Sequence, residues 1–175
     1  YEYTVNEVIP EGATAENNYT VNGVTYDSKT VNVKVTVTYN KETGELKAEL
    51  AKDSEAIAFQ NSYDTETSIG LEGTKSLSGR TLKDGEFTFE VKDKAGKVVA
   101  TGSNKSDGSI SFNNKLNYKL SDLEKADGSY ESEKTYEYTV NEVIPEGATA
   151  ENNYTVNGVT YDNSIFTVKV IVSYD

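Results

Sequence analysis

The stretch TVNVKVTVTYN, residues 30–40, decides the fold. Val31, Val33, Val35 and Val37 alternate with Asn32, Lys34, Thr36 and Thr38. Successive side chains of a strand point to opposite faces, so this period of two marks a half-buried strand. IFTVKVIVSYD, residues 165–175, repeats it with Phe166, Val168, Val170 and Val172. Phe87, Phe89 and Val91 form another such face, followed by a Lys-Ala-Gly-Lys turn and Val98-Val99. Asp107-Gly108 and Asn157-Gly158 are hairpin signals, and Glu42-Thr43-Gly44 turns between two further strands. Helical periodicity is weak throughout; 118–126 has room for one turn. The expectation is an all-β chain folded as a β-sandwich with Greek-key character.

Outward from this strand the chain repeats itself. Residues 1–27, YEYTVNEVIPEGATAENNYTVNGVTYD, recur unchanged at 136–162, an offset of 135 residues. That period is the size of a domain. A recent duplication accounts for the identity, and so does deliberate engineering. The period sets the expected boundaries. Residues 1–63 read as the C-terminal part of one repeat and polar 64–70 as a linker. Residues 71–175 read as the N-terminal part of the next repeat, lacking its last two strands. On this reading the chain is cut mid-repeat.

Composition narrows the function. Twenty-nine acidic residues against 17 basic ones give a formal charge of −12, which disfavours nucleic-acid phosphates and anionic membranes as partners. Cysteine and histidine are both absent. Disulfides, most zinc, copper and haem sites, and triads built on His or Cys drop out, and no cofactor is expected. No stretch has the apolar length of a membrane span, and no leader or sorting tail lies within these residues.

Alternation also shows which polar residues sit on the apolar side of a strand. Lys75 shares parity with Ile69, Leu71 and Leu77. Glu142 shares it with Tyr136, Tyr138, Val140 and Ile144. Asn61 shares it with Ile57, Phe59 and Tyr63. Glu7, the duplicate of Glu142, lies on the face of Tyr1, Tyr3, Val5 and Ile9. A buried Lys or Glu is costly unless paired. Desolvation lowers a lysine pKa and raises a glutamate pKa, so a buried pair can exist as neutral amine and neutral acid. A neutral amine is a nucleophile, and a protonated carboxyl can polarise the Asn carbonyl. Attack on the carboxamide expels ammonia and leaves a Lys–Asn amide. Proximity and desolvation in the core supply roughly 7–11 kcal/mol in well-oriented cases. The bland alternative is a snorkelling lysine and an ordinary buried ion pair.

Several short motifs then match in order. They are Lys75-Ser-Leu77-Ser-Gly79-Arg-Thr-Leu82, Gly85-Glu-Phe87-Thr-Phe89-Glu and Asp107-Gly-Ser-Ile-Ser-Phe112. Tyr138-Thr-Val140-Asn-Glu142-Val-Ile-Pro145 and Phe59-Gln-Asn61-Ser-Tyr63 complete the set. Together they resemble the streptococcal-type pilin repeat, the isopeptide-forming Ig-like domain of Gram-positive major pilins and surface adhesins. The resemblance covers nearly the whole chain. It implies Ig-like sandwich repeats, Lys75 and Asn61 as bond-forming residues, and Glu142 and Glu7 as proton-shuttling glutamates. It also implies an extracellular, wall-anchored or pilus location. Within a family repeat the order is Lys, Glu, Asn. Lys75 and Glu142 have no following Asn here, and Glu7 and Asn61 no preceding Lys. Completion in trans would place 41–63 of one copy on 71–175 of another as a donated strand, a head-to-tail contact. Completion in cis must use residues 64–70, which reach at most about 24 Å.

The resulting expectation is a structural shaft domain whose cross-linking is a single self-directed turnover, not enzyme catalysis. Its partners would be other copies or adjacent repeats. An adhesin module for a host glycan or protein is the alternative, with its ligand unknown. The identity of loop 145–158 in both copies favours the shaft. Glu131 and Glu133 fit a solvated face better than a glycosidase pair. Ser106-Asp-Gly-Ser109 is too sparse for a calcium loop. The sequons at Asn18, Asn104 and Asn153 read as incidental.

Overall fold

A computed structural model describes residues 1–174. The chain forms two compact units that divide between Thr65 and Glu66. Both are built from strands, with short 3-10 turns at residues 15–17, 120–123 and 150–152.

The first unit contains β1 (Glu2–Asn6), β2 (Thr20–Val21), β3 (Val24–Thr25), β4 (Thr30–Asn40), β5 (Glu45–Leu50) and β6 (Ser62–Tyr63). One antiparallel sheet has the order β1-β4-β5 and the other β2-β3-β6. The alternating run 30–40 is β4, as its period requires. Gly44, at φ 73°, closes the β4–β5 turn and donates its N–H to the Asn40 carbonyl at 2.8 Å. Tyr3 faces Val33, Val5 faces Val31 and Leu50 faces Val35. Val31 and Val33 are buried, but Tyr1, Tyr3, Val37, Leu46 and Leu50 are exposed.

The second unit contains β7 (Glu66–Ile69), β8 (Gly73–Thr74), β9 (Thr88–Asp93), β10 (Val98–Asn104), β11 (Ser109–Phe112) and β12 (Leu116–Lys119). It continues with β13 (Glu133–Glu142), β14 (Thr155–Val156), β15 (Val159–Thr160) and β16 (Ile165–Ser173). Six strands form a sheet in the order β16-β13-β9-β10-β11-β8, and β12-β7 form a second sheet. Val91, Ala100, Tyr138 and Val170 of the large sheet pack with Leu116 and Tyr118 of β12 in one core. Leu82, Phe87 and Phe89 form a second cluster, with Leu77, Ile110, Val159 and Tyr161 against it. The fold is an all-β, Ig-like sandwich.

The duplicated strands keep one register: Tyr138 faces Val168 as Tyr3 faces Val33. Their burial differs. Tyr138 is 9% exposed because β12 lies over it, whereas Tyr3 is 55% exposed.

Three expectations need correction. The units do divide within 64–70, between Thr65 and Glu66, but most of that stretch is strand, since Glu66–Ile69 pairs antiparallel with Leu116–Lys119. The strand expected over 69–77 is broken: β7 stops at Ile69, and only Gly73 and Thr74 pair with β11. The strand expected over 57–63 shrinks to Ser62 and Tyr63, which pair with Thr25 and Val24. Ile57 and Tyr63 are exposed, so parity does not carry them inward. Strand form needs a neighbouring ladder, and β3 offers only two residues of one.

The buried Tyr118 should make the second unit sensitive to alkali. The Tyr118 hydroxyl donates to that of Tyr138 at 2.9 Å, and burial first, then this bond, pushes the Tyr118 phenol well up. The fold therefore keeps Tyr118 neutral where an unfolded chain would ionise it. Its contribution is complete below the ordinary tyrosine pKa of about 10 and is lost as pH rises beyond it. Urea midpoints of this unit should fall through that range. Tyr118→Phe, with no group to ionise, should flatten the fall.

Candidate functional site

In the second unit the site begins where β8 ends. The Lys75 N–H donates to the Gly108 carbonyl at 2.7 Å, fixing the backbone directly after the β8–β11 pairing. Gly108 has φ 89°, and a Cβ there would come within 2.9 Å of the Lys75 carbonyl, so the turn requires glycine. The Lys75 Nζ donates to Glu142 Oε2 at 2.6 Å. Glu142 ends β13 opposite Phe89. The two side chains are only 11% and 4% exposed, making this a buried ion pair. Glu142 Oε1 is also buried and accepts no hydrogen bond from the described residues.

An aromatic floor supports the lysine. Its Nζ lies 4.4 Å from the centre of the Phe87 ring, a cation–π geometry. Phe87 is 1% exposed and meets Tyr161 edge-on at 5.5 Å. Asn104, itself 1% exposed, fixes the backbone here. Its Oδ1 accepts the Phe87 N–H and its Nδ2 donates to the Lys83 carbonyl, both at 2.7 Å. The Asn104 sequon is thus a structural amide. Asp162 follows Tyr161. The Ser164 hydroxyl and N–H hold its carboxyl below the usual range, and the Lys75 charge adds to the effect.

In the first unit the corresponding place is held by other groups. Glu7 lies just beyond β1. Asn61 Nδ2 donates to Glu7 Oε1 at 2.6 Å, and the Asp27 N–H donates to Asn61 Oδ1 at 3.0 Å. The same N–H reaches Glu7 Oε2 at 3.2 Å. The Asp27 carboxylate pairs with Lys29 at 2.8 Å and accepts the Gln60 N–H at 3.1 Å. Lys29 is the main cause of its lowered pKa. An open cleft beside Asn61 is lined by Tyr19, Tyr26, Lys29 and Gln60.

The structure therefore seats Lys75 with Glu142 and Asn61 with Glu7, each pair within its own unit. The expected bond from an acid to the Asn carbonyl is not the one formed: Glu7 takes the carboxamide nitrogen, and a main-chain N–H takes the oxygen. Sequence reasoning missed Asp27, Asp162, Phe87 and Asn104. One signal was available. The unchanged repeat runs through Asp27 and Asp162 and ends there, with Ser28-Lys29 facing Asn163-Ser164. Its loop builds the site. Tyr19 and Tyr154 bond back to Thr14 and Thr149 at 2.7 Å, and Tyr26 and Tyr161 bond to Tyr19 and Tyr154 at 3.0 Å. Asn18 and Asn153 take the left-handed conformation that tightens the loop.

A β-sandwich with a lysine and a glutamate sealed together at a strand end is the class defined by fold and site. The family described as Spy0128-like isopeptide containing domain (FctA) matches residues 1–64 and 71–175, and the chain belongs to it. It is a pilin isopeptide-domain chain with a structural role. No curated protein and no solved structure matches it. Among the described residues no helix is long and apolar enough to cross a membrane.

Proposed function

We propose that this chain is shaft material of a Gram-positive surface pilus, its repeats locked by self-formed Lys–Asn bonds. Lys75 supplies the amine, Glu142 and Glu7 shuttle protons, and an asparagine in the position of Asn61 supplies the carboxamide. One comparison carries the reading. Glu142 spends one oxygen on Lys75 and leaves the other buried without a donor. Its duplicate Glu7 receives a carboxamide N–H from Asn61. Placed on one glutamate, the two arrangements make a Lys–Glu–Asn site.

The chemistry follows from these contacts. Glu142 takes a proton from the Lys75 ammonium, freeing a lone pair to attack the Asn Cγ. The glutamate returns the proton to the carboxamide nitrogen, which leaves as ammonia. Burial of Lys75 and Glu142 keeps water away from the amine before the carboxamide arrives.

The donor segment is of the 41–63 type, from an adjacent repeat or another copy, head to tail. β5 and β6 supply a template: they pair with β4 and β3, whose counterparts are β16 and β15. Strand addition at that edge supplies main-chain bonds and brings in the asparagine. The identical loops are used to build the site, which favours the shaft over an adhesin module.

A test uses the full chain carrying Asn61→Ala, so that only an added peptide of residues 41–63 offers the Asn61 carboxamide. Intact mass should show chain plus peptide less one ammonia, with the bond mapping to Lys75. Failure to form that adduct would overturn the reading.

A further inference from the structure

An amine attacking a carboxamide pushes an electron pair onto the carboxamide oxygen. What receives that charge sets much of the barrier, and a preorganised main-chain N–H does it well because it needs no reorientation. In the first unit the Asn61 Oδ1 already accepts the Asp27 N–H at 3.0 Å. Glu7 holds the other end of the same carboxamide, at Nδ2, 2.6 Å away. The nitrogen that must leave therefore faces the proton shuttle, and the oxygen that must become anionic faces a fixed donor.

The Asp27 N–H is fixed from several sides. It ends the loop closed by the Tyr26–Tyr19 bond. Its own carboxylate is anchored by Lys29 and by the Gln60 N–H, the residue next to Asn61. The duplicate loop is closed by the same bond, Tyr161 to Tyr154 at 3.0 Å, and carries Asp162 at the matching position of the second unit.

We propose that the main-chain N–H of Asp27, and of its duplicate Asp162, is the oxyanion donor of bond formation. This rests on the bond-forming reading above. The Lys Nζ lone pair forms the new bond to Asn Cγ, and the carbonyl π pair moves to Oδ1, which the N–H stabilises. Glutamate passes the first lysine proton to Nδ2, and the Cγ–Nδ2 bond breaks with its electron pair on nitrogen. The carbonyl re-forms, and the second lysine proton leaves through glutamate, so that ammonia departs as ammonium. The strand-end glutamate need not polarise the carbonyl and is free to act on nitrogen alone.

The test replaces the Tyr161–Asp162 amide by an ester, which removes one N–H and keeps the Asp162 side chain. Adduct formation with the 41–63 peptide, in the Asn61→Ala chain, should slow by about 10²–10³-fold. Affinity for the peptide, measured with Lys75→Ala added, should fall by no more than about tenfold, the worth of one neutral hydrogen bond, and so by much less than the rate. Asp162→Ala keeps the N–H but loses the carboxylate that helps to fix it, and should slow the reaction less than the ester does. An ester chain that reacts at the parent rate overturns the oxyanion assignment and leaves the bond-forming reading standing. A parent chain that forms no adduct removes both. A second measurement needs no variant: a scalar coupling across the hydrogen bond from the Asp27 ¹⁵N to the Asn61 ¹³Cγ. Its presence supports the donor geometry; its absence in the folded chain overturns it.

Discussion

Glu142→Ala should cost the second unit about 3–5 kcal/mol and should abolish bond formation at Lys75. The energy follows from what remains. Lys75 is 11% exposed, and among the described residues its Nζ forms a salt bridge with Glu142 alone, at 2.6 Å. Removing the carboxylate strands a cation over the Phe87 ring, and an unpaired buried charge costs in that range. The ring recovers only a part, since a cation–π contact is worth about 2 kcal/mol at best when desolvated. The loss should be visible as a lower urea midpoint and should hardly respond to salt, because a buried pair is poorly screened. Replacing both partners, with Lys75→Met and Glu142→Leu, should recover much of the stability, as apolar substitutes often do for buried pairs. The double variant must still form no adduct. A single-variant loss under about 1 kcal/mol would mean that the lysine reaches water and the pair is not sealed.

The contrast between stability and reactivity in that experiment is the physical sense of the pair. A buried Lys–Glu contact is a poor way to stabilise a sandwich, and hydrophobic residues would do as well. On the proposed bond-forming reading, its use is to hold an amine, a proton acceptor and a dry approach in one place before any asparagine arrives.

Much of this was legible in the sequence, and the part that was not fails for identifiable reasons. Alternation in 30–40 and 165–173 located two long strands, because their period of two extends over many residues. Parity alone put Lys75 and Glu142 inside, and they meet there. Parity misled for Tyr1 and Tyr3, because it assigns a side and not a cover; Tyr138 has the same neighbours in its strand and is buried by β12. It failed more completely at Ile57–Tyr63, where a short run without a long partner ladder stays irregular. Polar 64–70 looked like a linker because Glu66, Thr67 and Ser68 carry no apolar signal. Its strand form comes from pairing with β12, a partner about fifty residues away. Asp27 acts through its main chain, which no side-chain pattern can announce. Asn104 reads as a surface sequon until Phe87 and Lys83 are seen to use both ends of its amide.

The second large effect concerns the floor beneath the lysine. Phe87→Ala should destabilise the second unit by about 3–5 kcal/mol, the usual cost of emptying a buried phenylalanine site. Phe87 is 1% exposed and sits between Leu82, Phe89, Tyr161 and the Lys75 Nζ, so neighbours on several sides lose contact at once. Collapse is hindered on one side by Asn104, whose amide is committed to the backbone at 83 and 87. Phe87→Leu separates packing from chemistry. It restores most of the volume and should recover more than half of the lost stability, but it has no π face to hold a cation. If the ring positions the amine, the leucine variant should fold yet form the Lys75 adduct about tenfold more slowly, near what a desolvated cation–π contact can contribute. A leucine variant that reacts at the parent rate would reduce Phe87 to a packing residue, and the seat of Lys75 would then rest on Glu142 and the Gly108 turn alone.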